Sequence, residues 1–386
     1  MTTVEIHQAS SSLPPQQSVF EGRLRALDGL RGVAILAVLF FHYAGGIPKQ
    51  SHSVLVGSIS VAIGFGWTGV DLFFVLSGFL ITGILYDTRD DPRYYINFYA
   101  RRALRIFPIF FLLIAIYLSL TPILHLHWKP GHLFFLVYLG YPAALLWPDL
   151  QITSPFVPIV HLWSLCAEEQ FYLVWPWVIA RLRSGVAILW TCAALASGAI
   201  VLRTMLLSQR LDPSWAYGFL PCRMDTLAMG ASLAILVRSS WYLRVQRWSL
   251  PCFAVAVGVL AMICGVRHTV DRYDFAMATI GYSVIAVAYG ALLLSCLKKG
   301  SVSERVFSWK LLRIFGKYSY ALYIYHLSLA AVLHPLKDYL IAETRSFLTG
   351  SAAYLVLALA INLAVASLSF QLFESPILRL KARFQS

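Results

Sequence analysis

The chain is 386 residues long, with 59% hydrophobic and 13% charged residues, where an ordinary globular domain carries roughly 25% charged. Mean hydropathy is +0.70, which excludes a water-soluble fold and makes the bilayer the organising solvent. A net charge of +13 in such a chain reads as a positive-inside signature, and nucleic acid is not expected as a partner.

Residues 1–20, MTTVEIHQASSSLPPQQSVF, are polar and lack a basic segment followed by an apolar core. They are expected to be a disordered cytoplasmic tail, not a signal peptide. Apolar runs follow at 29–47, 67–86, 107–124, 131–147, 162–180, 186–207, 219–237, 250–266, 275–297, 314–334 and 350–373. If the run at 131–147 does not cross, most of the 31 Lys and Arg share one side with both termini; if it does, they divide against the rule. Its sequence, GHLFFLVYLGYPAALLWP, has the Gly, Pro and Trp content of an interfacial or re-entrant piece. The expected fold is an all-α polytopic membrane protein: a bundle of about ten transmembrane helices plus one re-entrant or interfacial segment. The expected limits are a membrane domain at 21–380 and a cytoplasmic tail at 381–386, in a bacterial inner membrane. Six scattered cysteines, without a CxxC pair, read as packing residues, and no metal is expected.

The first run, LDGLRGVAILAVLFFHY (27–43), carries Asp28, Arg31 and His42. A charged side chain at mid-bilayer costs roughly 2.5–3.5 kcal/mol on insertion scales, so its presence asks for a use. At ~100° per residue the spacing of Arg31 and His42 leaves about 20° between them, and their rise differs by roughly 16 Å. Both therefore share one helix face, with Asp28 placed to pair with Arg31 one turn away. Arg31 is expected near the cytoplasmic rim and His42 toward the outer half, where histidine is suited to general-base work.

Next along the chain, GWTGVDLFFVLSGFLITGIL (66–85) holds Asp71 and Ser77, with Gly69, Gly78 and Gly83 as close-packing positions. FYARRALRIFP (98–108) clusters Arg101, Arg102 and Arg105, a guanidinium patch suited to lipid phosphate or to a phosphorylated cytosolic ligand. HLWSLCAEEQFYLVWPW (161–177) carries His161, Trp163, Ser164, Glu168 and Glu169. Adjacent carboxylates project about 100° apart, so only one is expected to face a given cavity. LPCRMDTLAMG (220–230) supplies Arg223 and Asp225; KYSYALYIYHLSL (317–329) supplies Tyr323 and His326; FESP closes the last run. For His326 and the tyrosines, packing and interfacial anchoring is the favoured reading. Trp67, Trp128, Trp147, Trp163 and Trp215 are placed to stack on sugar rings or to anchor at an interface.

Taken in order, LDGLRGVAILAVLFFHY, GVDLFFVLSGFLIT, RRALRIFP, HLWSLCAEEQFYLVWP, RMDTLAMG, YSYALYIYH and FESP resemble the membrane acyltransferase family 3, over about residues 24–380. The resemblance implies transfer of an acyl group, often acetyl, from a cytoplasmic thioester to a hydroxyl of an outward-facing carbohydrate. The family's Arg and His of the first span match Arg31 and His42, its Arg-x-x-Arg matches Arg102 and Arg105, and its Trp-Ser-Leu and Glu match Trp163, Ser164, Leu165 and Glu168. Some members carry a fused esterase-type domain; a single-chain transferase is expected here.

The implied assignment makes His42, Glu168 and Arg31 catalytic and Arg101, Arg102 and Arg105 the binders of acyl-CoA. Asp28, Asp71, Ser77, His161, Trp163, Ser164, Arg223, Asp225, Tyr323 and His326 support the site or the substrate. His42 takes the acceptor's proton while Glu168 orients the imidazole; a covalent acyl-histidine is the variant the sequence leaves open. The partners implied are membrane lipid, acyl-CoA and a glycan such as lipopolysaccharide O-antigen or exopolysaccharide. The rival class is a transporter or flippase that uses the buried charges as a proton or substrate path.

Overall fold

A computed structural model of the chain describes residues 16–44, 54–125, 128, 132–147 and 160–384. Residues 1–15 of the expected tail, and the basic residues Lys49 and Lys129, lie outside the described residues. Among the described residues every regular element is helical. Helix α1 (Gln16–Tyr43) begins inside the segment expected to be disordered. It is followed by α2 (Val54–Gly64), a 3₁₀ turn over Phe65–Thr68 and α3 (Gly69–Asp87). Helix α4 (Tyr94–Leu124) ends on His125 in the left-handed conformation and leads to two short pieces, α5 (Leu133–Leu136) and α6 (Gly140–Leu146). Next come α7 (Trp163–Arg181), α8 (Gly185–Ser208), α9 (Ser214–Gly218) and α10 (Met224–Leu236). Helices α11 (Tyr242–Arg247) and α12 (Ser249–Arg267) precede a π turn, Met277–Gly281, that opens α13 (Tyr282–Cys296). The chain continues through α14 (Val302–Phe307), α15 (Lys310–Lys317), α16 (Ser319–Thr344), α17 (Phe347–Ser369) and α18 (Ser375–Arg379).

Among the described residues, seven helical segments are long and apolar enough to cross a membrane: Arg25–Tyr43, Val56–Asp87, Tyr94–Ile123, Gly185–Ser208, Ser249–Arg267, Met277–Cys296 and Phe347–Phe384. That is fewer than the ten expected. The other three expected runs are helical but fall short for identifiable reasons. Helix α7 carries Glu168, Glu169 and Gln170; α10 has only 13 residues; α16 carries His326, His334, Lys337 and Asp338. The run at 131–147 breaks at Tyr138, whose φ of 58° is left-handed. Its pieces of 4 and 7 residues are too short to span a hydrocarbon core, which takes roughly 20.

Helix α3 sits at the centre of the bundle and α10 crosses it closely. A Cβ at Gly78 would run into the Leu227 carbonyl, and one at Gly230 into the Val75 carbonyl, so each glycine admits the other helix's backbone. Near this crossing the interior is charged. Arg223 pairs with Asp71, both fully buried, and Arg203 pairs with Asp225 at 2.8 Å. Arg203 also donates to the carbonyls of Thr279 (2.9 Å) and Cys222, while Ser283 donates to Asp225 at 2.5 Å. By sequence Arg203, near the end of the run at 186–207, counts with the loop charges on the side away from the termini. It lies instead within α8, completely buried, where a lone charge would be costly without its carboxylate.

Candidate active site

Two cavities, each of about 100 Å³, lie end to end along α1, with Val70 and Tyr323 lining both. The first is an arginine cavity. Arg31 enters it from α1 and Arg102 and Arg105 from successive turns of α4. Helix α3 contributes Ser77, α7 contributes Glu168 and Tyr172, and α16 contributes Tyr320. Glu168 and Tyr172, one helical turn apart, converge on Ser77. The serine Oγ donates to Glu168 Oε1 at 2.7 Å, and the tyrosine hydroxyl lies 2.7 Å from the same Oγ. Because the serine proton is committed to the carboxylate, the tyrosine is the donor. The Arg102 guanidinium lies over the Tyr172 ring at 5.2 Å. Asp28 sits 3.5 Å from Arg31, as the spacing implied. Three guanidinium groups face one lining carboxylate, so the cavity is electropositive and fits a phosphate-bearing ligand.

Arg101 takes no part in this cavity. It donates to the Phe384 carbonyl at 2.6 Å and lines a smaller neighbouring pocket with Asp91 and Asn97, which Arg102 also lines. Glu169 points away from Glu168, as adjacent positions on a helix must, and does not line the arginine cavity. Its neighbour Gln170 donates to the Tyr138 carbonyl at 2.8 Å, which ties the broken 131–147 run to α7.

The second cavity belongs to histidine. His42 lines it, and its Nδ1 lies 2.9 Å from the Val38 carbonyl. A carbonyl only accepts, so Nδ1 carries the proton of the neutral ring and Nε2 keeps the lone pair. That is the tautomer a general base or nucleophile needs at Nε2. The His326 ring packs edge-on at 4.9 Å from His42, and the His161 ring stands 4.9 Å from His326. His326 is fully buried; its Nδ1 donates to the Tyr323 carbonyl at 2.7 Å and its Nε2 has no hydrogen-bond partner among the described residues. His161 Nε2 donates to the Ile324 carbonyl at 3.1 Å. Three histidines thus have their orientation fixed by main-chain carbonyls.

The shared wall is pinned by hydrogen bonds. Tyr323 donates to the His161 carbonyl at 2.7 Å and receives from Ser164 at 2.6 Å. Around His42 the cavity is aromatic, with Trp67, Trp163, Tyr217 and Tyr273 on its walls and Arg272 among them.

The structure therefore brings together Arg31, Arg102, Arg105, Ser77, Glu168, Ser164 and Tyr323 at one end, and His42, His161, Trp163, Tyr323 and, behind them, His326 at the other. It does not bring Glu168 to His42. Glu168 spends its hydrogen bond on Ser77 in the arginine cavity, and the ring beside His42 is His326. Asp71, Arg223 and Asp225 line neither cavity; they face one another and Arg203. Sequence reasoning missed Arg272, Tyr217, Tyr273, Tyr172 and Tyr320. Tyr172 follows Glu168 by one helical turn, a spacing that would have revealed it; Arg272 lies in a short polar loop where no periodicity applies.

A family model described as an acyltransferase domain matches residues 24–369. The chain belongs to that family. Among curated relatives it is 27% identical over 375 residues to the peptidoglycan O-acetyltransferase OatA of Listeria monocytogenes, covering 91% of this chain and 55% of the relative. It is 27% identical over 322 residues to the O-acetyltransferase OatA of Staphylococcus aureus, covering 78% and 50% respectively. The chain spans about half the length of the curated relatives it matches. No solved structure matches it significantly.

Proposed function

We propose that the protein is an integral membrane O-acyltransferase that moves an acyl group, acetyl in the first instance, from cytoplasmic acyl-CoA to a hydroxyl of an outward-facing glycan. The observation that carries the reading is the pair of cavities: guanidinium groups in one, a histidine with a free Nε2 in the other, and a common wall at Val70 and Tyr323. Arg102 and Arg105 hold the phosphates of the donor by charge-assisted hydrogen bonds, with Arg101 at the neighbouring pocket. The pantetheine arm passes Arg31 and brings the thioester to the wall. His42 Nε2 takes the proton of the acceptor hydroxyl as that oxygen attacks the thioester carbonyl; the C–S bond breaks and the proton passes to the leaving thiolate. Glu168 acts through Ser77 and the arginines, holding the donor end, and not through the imidazole.

The same reading gives α7, the α10 region and α16 the role of further crossings, and the broken run at 131–147 that of a re-entrant segment. Both termini then face the cytoplasm of a bacterial inner membrane. The Listeria relative is named for peptidoglycan, which favours a cell-wall glycan over lipopolysaccharide as acceptor. The test is transfer of label from acetyl-CoA to glycan in proteoliposomes, with free CoA released in step. His42→Ala should abolish both while the protein still inserts and purifies. Undiminished transfer by that variant removes His42 from the chemistry, and label crossing the membrane without release of CoA would mark a transporter.

A further inference from the structure

The walls of the histidine cavity hold a charge that the transfer chemistry leaves unused. Arg272 lies in the segment between α12 and α13, half-buried, with its main-chain carbonyl held by the Tyr282 hydroxyl at 2.7 Å. Its guanidinium is set among three rings: Tyr217 and Tyr273, each at 4.8 Å, and Phe41 at 5.5 Å. The Tyr273 hydroxyl accepts a hydrogen bond from it, a neutral partner. Among the described residues no carboxylate forms an ion pair with it, and its Nε has no hydrogen-bond partner. Of the acids beside it in the chain, Asp274 is held by Arg267 at 2.9 Å and Asp271 accepts from the Tyr273 main-chain N–H at 3.0 Å. Aromatic faces and one neutral hydroxyl attract a cation but leave most of its in-plane N–H donors, and its whole charge, without a counterpart among the described residues. A planar, oriented donor set beside His42, in a cavity walled by Trp67 and Trp163, is a recognition device without its partner.

We propose that the acceptor carries a carboxylate close to the hydroxyl that is acylated, and that Arg272 reads it; the acceptor is an acidic sugar residue, stacked on the cavity's aromatic walls. A carboxylate fits better than a phosphate because Arg272 is the one Lys or Arg among the described residues lining this cavity, and a phosphate's second charge would be left uncompensated. The guanidinium also rejects neutral sugars, because a half-buried charge left unpaired penalises the wrong ligand more than it rewards the right one. The identity of the acceptor rests on the acyltransferase reading; the ligand chemistry of the cavity does not.

The experiment uses the full chain in detergent without donor. The fluorescence of its tryptophans, two of which line the cavity, is followed during titration with methyl glucuronide, methyl glucoside and glucose 6-phosphate. The acid should bind about tenfold or more tightly than its neutral twin, the range expected of one charge-assisted hydrogen-bonded pair. Arg272→Gln should bring the acid to the neutral sugar's affinity, and Arg272→Lys should retain part of the difference; size-exclusion elution confirms that each variant is folded. In a second arm, kcat/KM for acetyl transfer to acidic over neutral oligosaccharides should fall by a similar factor in Arg272→Gln. Equal binding of acid and neutral sugar by the native protein overturns the proposal, as does tighter binding of the phosphate than of the carboxylate. An Arg272→Gln variant that loses transfer equally on both acceptors, with the ratio unchanged, also overturns it and points to stabilisation of developing charge at His42. Native protein that binds the acid selectively but releases no CoA and transfers label to no acceptor keeps Arg272 as the reader of a carboxylate and overturns its assignment to the acceptor.

Discussion

Replacing Asp71 alone by leucine should cost far more stability than replacing Asp71 and Arg223 together. Both side chains are fully buried, with 0% exposure each. An ion pair in such a place roughly breaks even against apolar groups of similar size, whereas removing one partner strands the other charge at about 3–5 kcal/mol. The figure here belongs at the lower end. With Asp71 gone, Arg223 still faces the Tyr282 ring at 4.2 Å and the Tyr217 ring at 5.4 Å. Thr226, whose hydroxyl lies 3.4 Å from both Asp71 and Asp225, keeps the second carboxylate close. Asp71→Leu is therefore expected to lose about 3 kcal/mol, Arg223→Met a similar amount, and the two together less than about 1.5 kcal/mol, well short of the sum of the singles. Equilibrium unfolding in SDS mixed micelles, run as a double-mutant cycle on purified protein, measures it. A double variant as unstable as the sum of the singles would refute the pairing. Single variants of native stability that have lost transfer would instead make these residues ligands of substrate.

The other predictions concern the donor end, the helix crossing and one loop. If the proposed donor site is right, reversing charge at Arg102 and Arg105 together should raise the KM for acetyl-CoA by about tenfold or more, because the site would lose two charge-assisted hydrogen bonds to phosphate; steady-state kinetics with varied donor checks it, and unchanged saturation would remove the arginines from that site. Gly78→Ala should destabilise the protein by about 1–3 kcal/mol, because the added methyl meets the Leu227 main chain and not a movable side chain; a native unfolding curve would contradict the close crossing of α3 and α10. Burial pushes the Asp274 carboxyl up, but the Arg267 guanidinium and the N–H groups of Met277 and Ala276 outweigh it, and the net shift is downward. A depressed carboxyl contributes stability that is complete above its unfolded value and is lost as pH falls through the folded one. Hydrogen exchange over 268–276, corrected for intrinsic rate, should therefore stay level from about pH 7 to about pH 5 and rise only below about pH 4, while Asp274→Asn should exchange faster already near neutral pH.

Local spacing made part of the site legible. The ~100° step between Glu168 and Glu169 required them to part, and only Glu168 lines the arginine cavity. The RRALR spacing put Arg102 and Arg105 on neighbouring turns, and both reach that cavity. The shared phase of Arg31 and His42 placed both on the cavity side of α1, although in separate chambers. Pairings between helices were not legible, because no periodicity encodes which neighbour a side chain meets. Ser77 as the partner of Glu168, and His326 in place of Glu168 beside His42, are of this kind. Arg203 reads as a loop residue because it stands near the end of an apolar run, where a charge marks a boundary; its carboxylate lies 22 residues away on another helix.

The helices that fail the test of length and apolarity are themselves informative. Lipid is a poor solvent for Glu168, His326 or Arg223, and a helix bearing them cannot present those residues to hydrocarbon. Ser164, Glu168 and Tyr172 of α7 and Tyr320 and Tyr323 of α16 line the cavities and His326 packs against His42, while Leu173, Val174 and Trp177 of α7 and Val332, His334 and Asp338 of α16 face outward. In the α10 region Arg223 and Asp225 are closed off by Asp71 and Arg203, and the close crossing on α3 leaves little surface for lipid to reach. The three therefore fall short for different reasons: interior polar residues lower the apolarity of α7, exposed His334 and Asp338 add to buried His326 in α16, and α10 is simply short. The walls of the two cavities are built jointly: α1, α3 and α4, which meet the hydropathy criterion, supply Arg31, His42, Ser77, Arg102 and Arg105, and α7 and α16, which do not, supply Glu168, Tyr172 and Tyr323, so both kinds of helix turn polar side chains toward the interior and away from hydrocarbon.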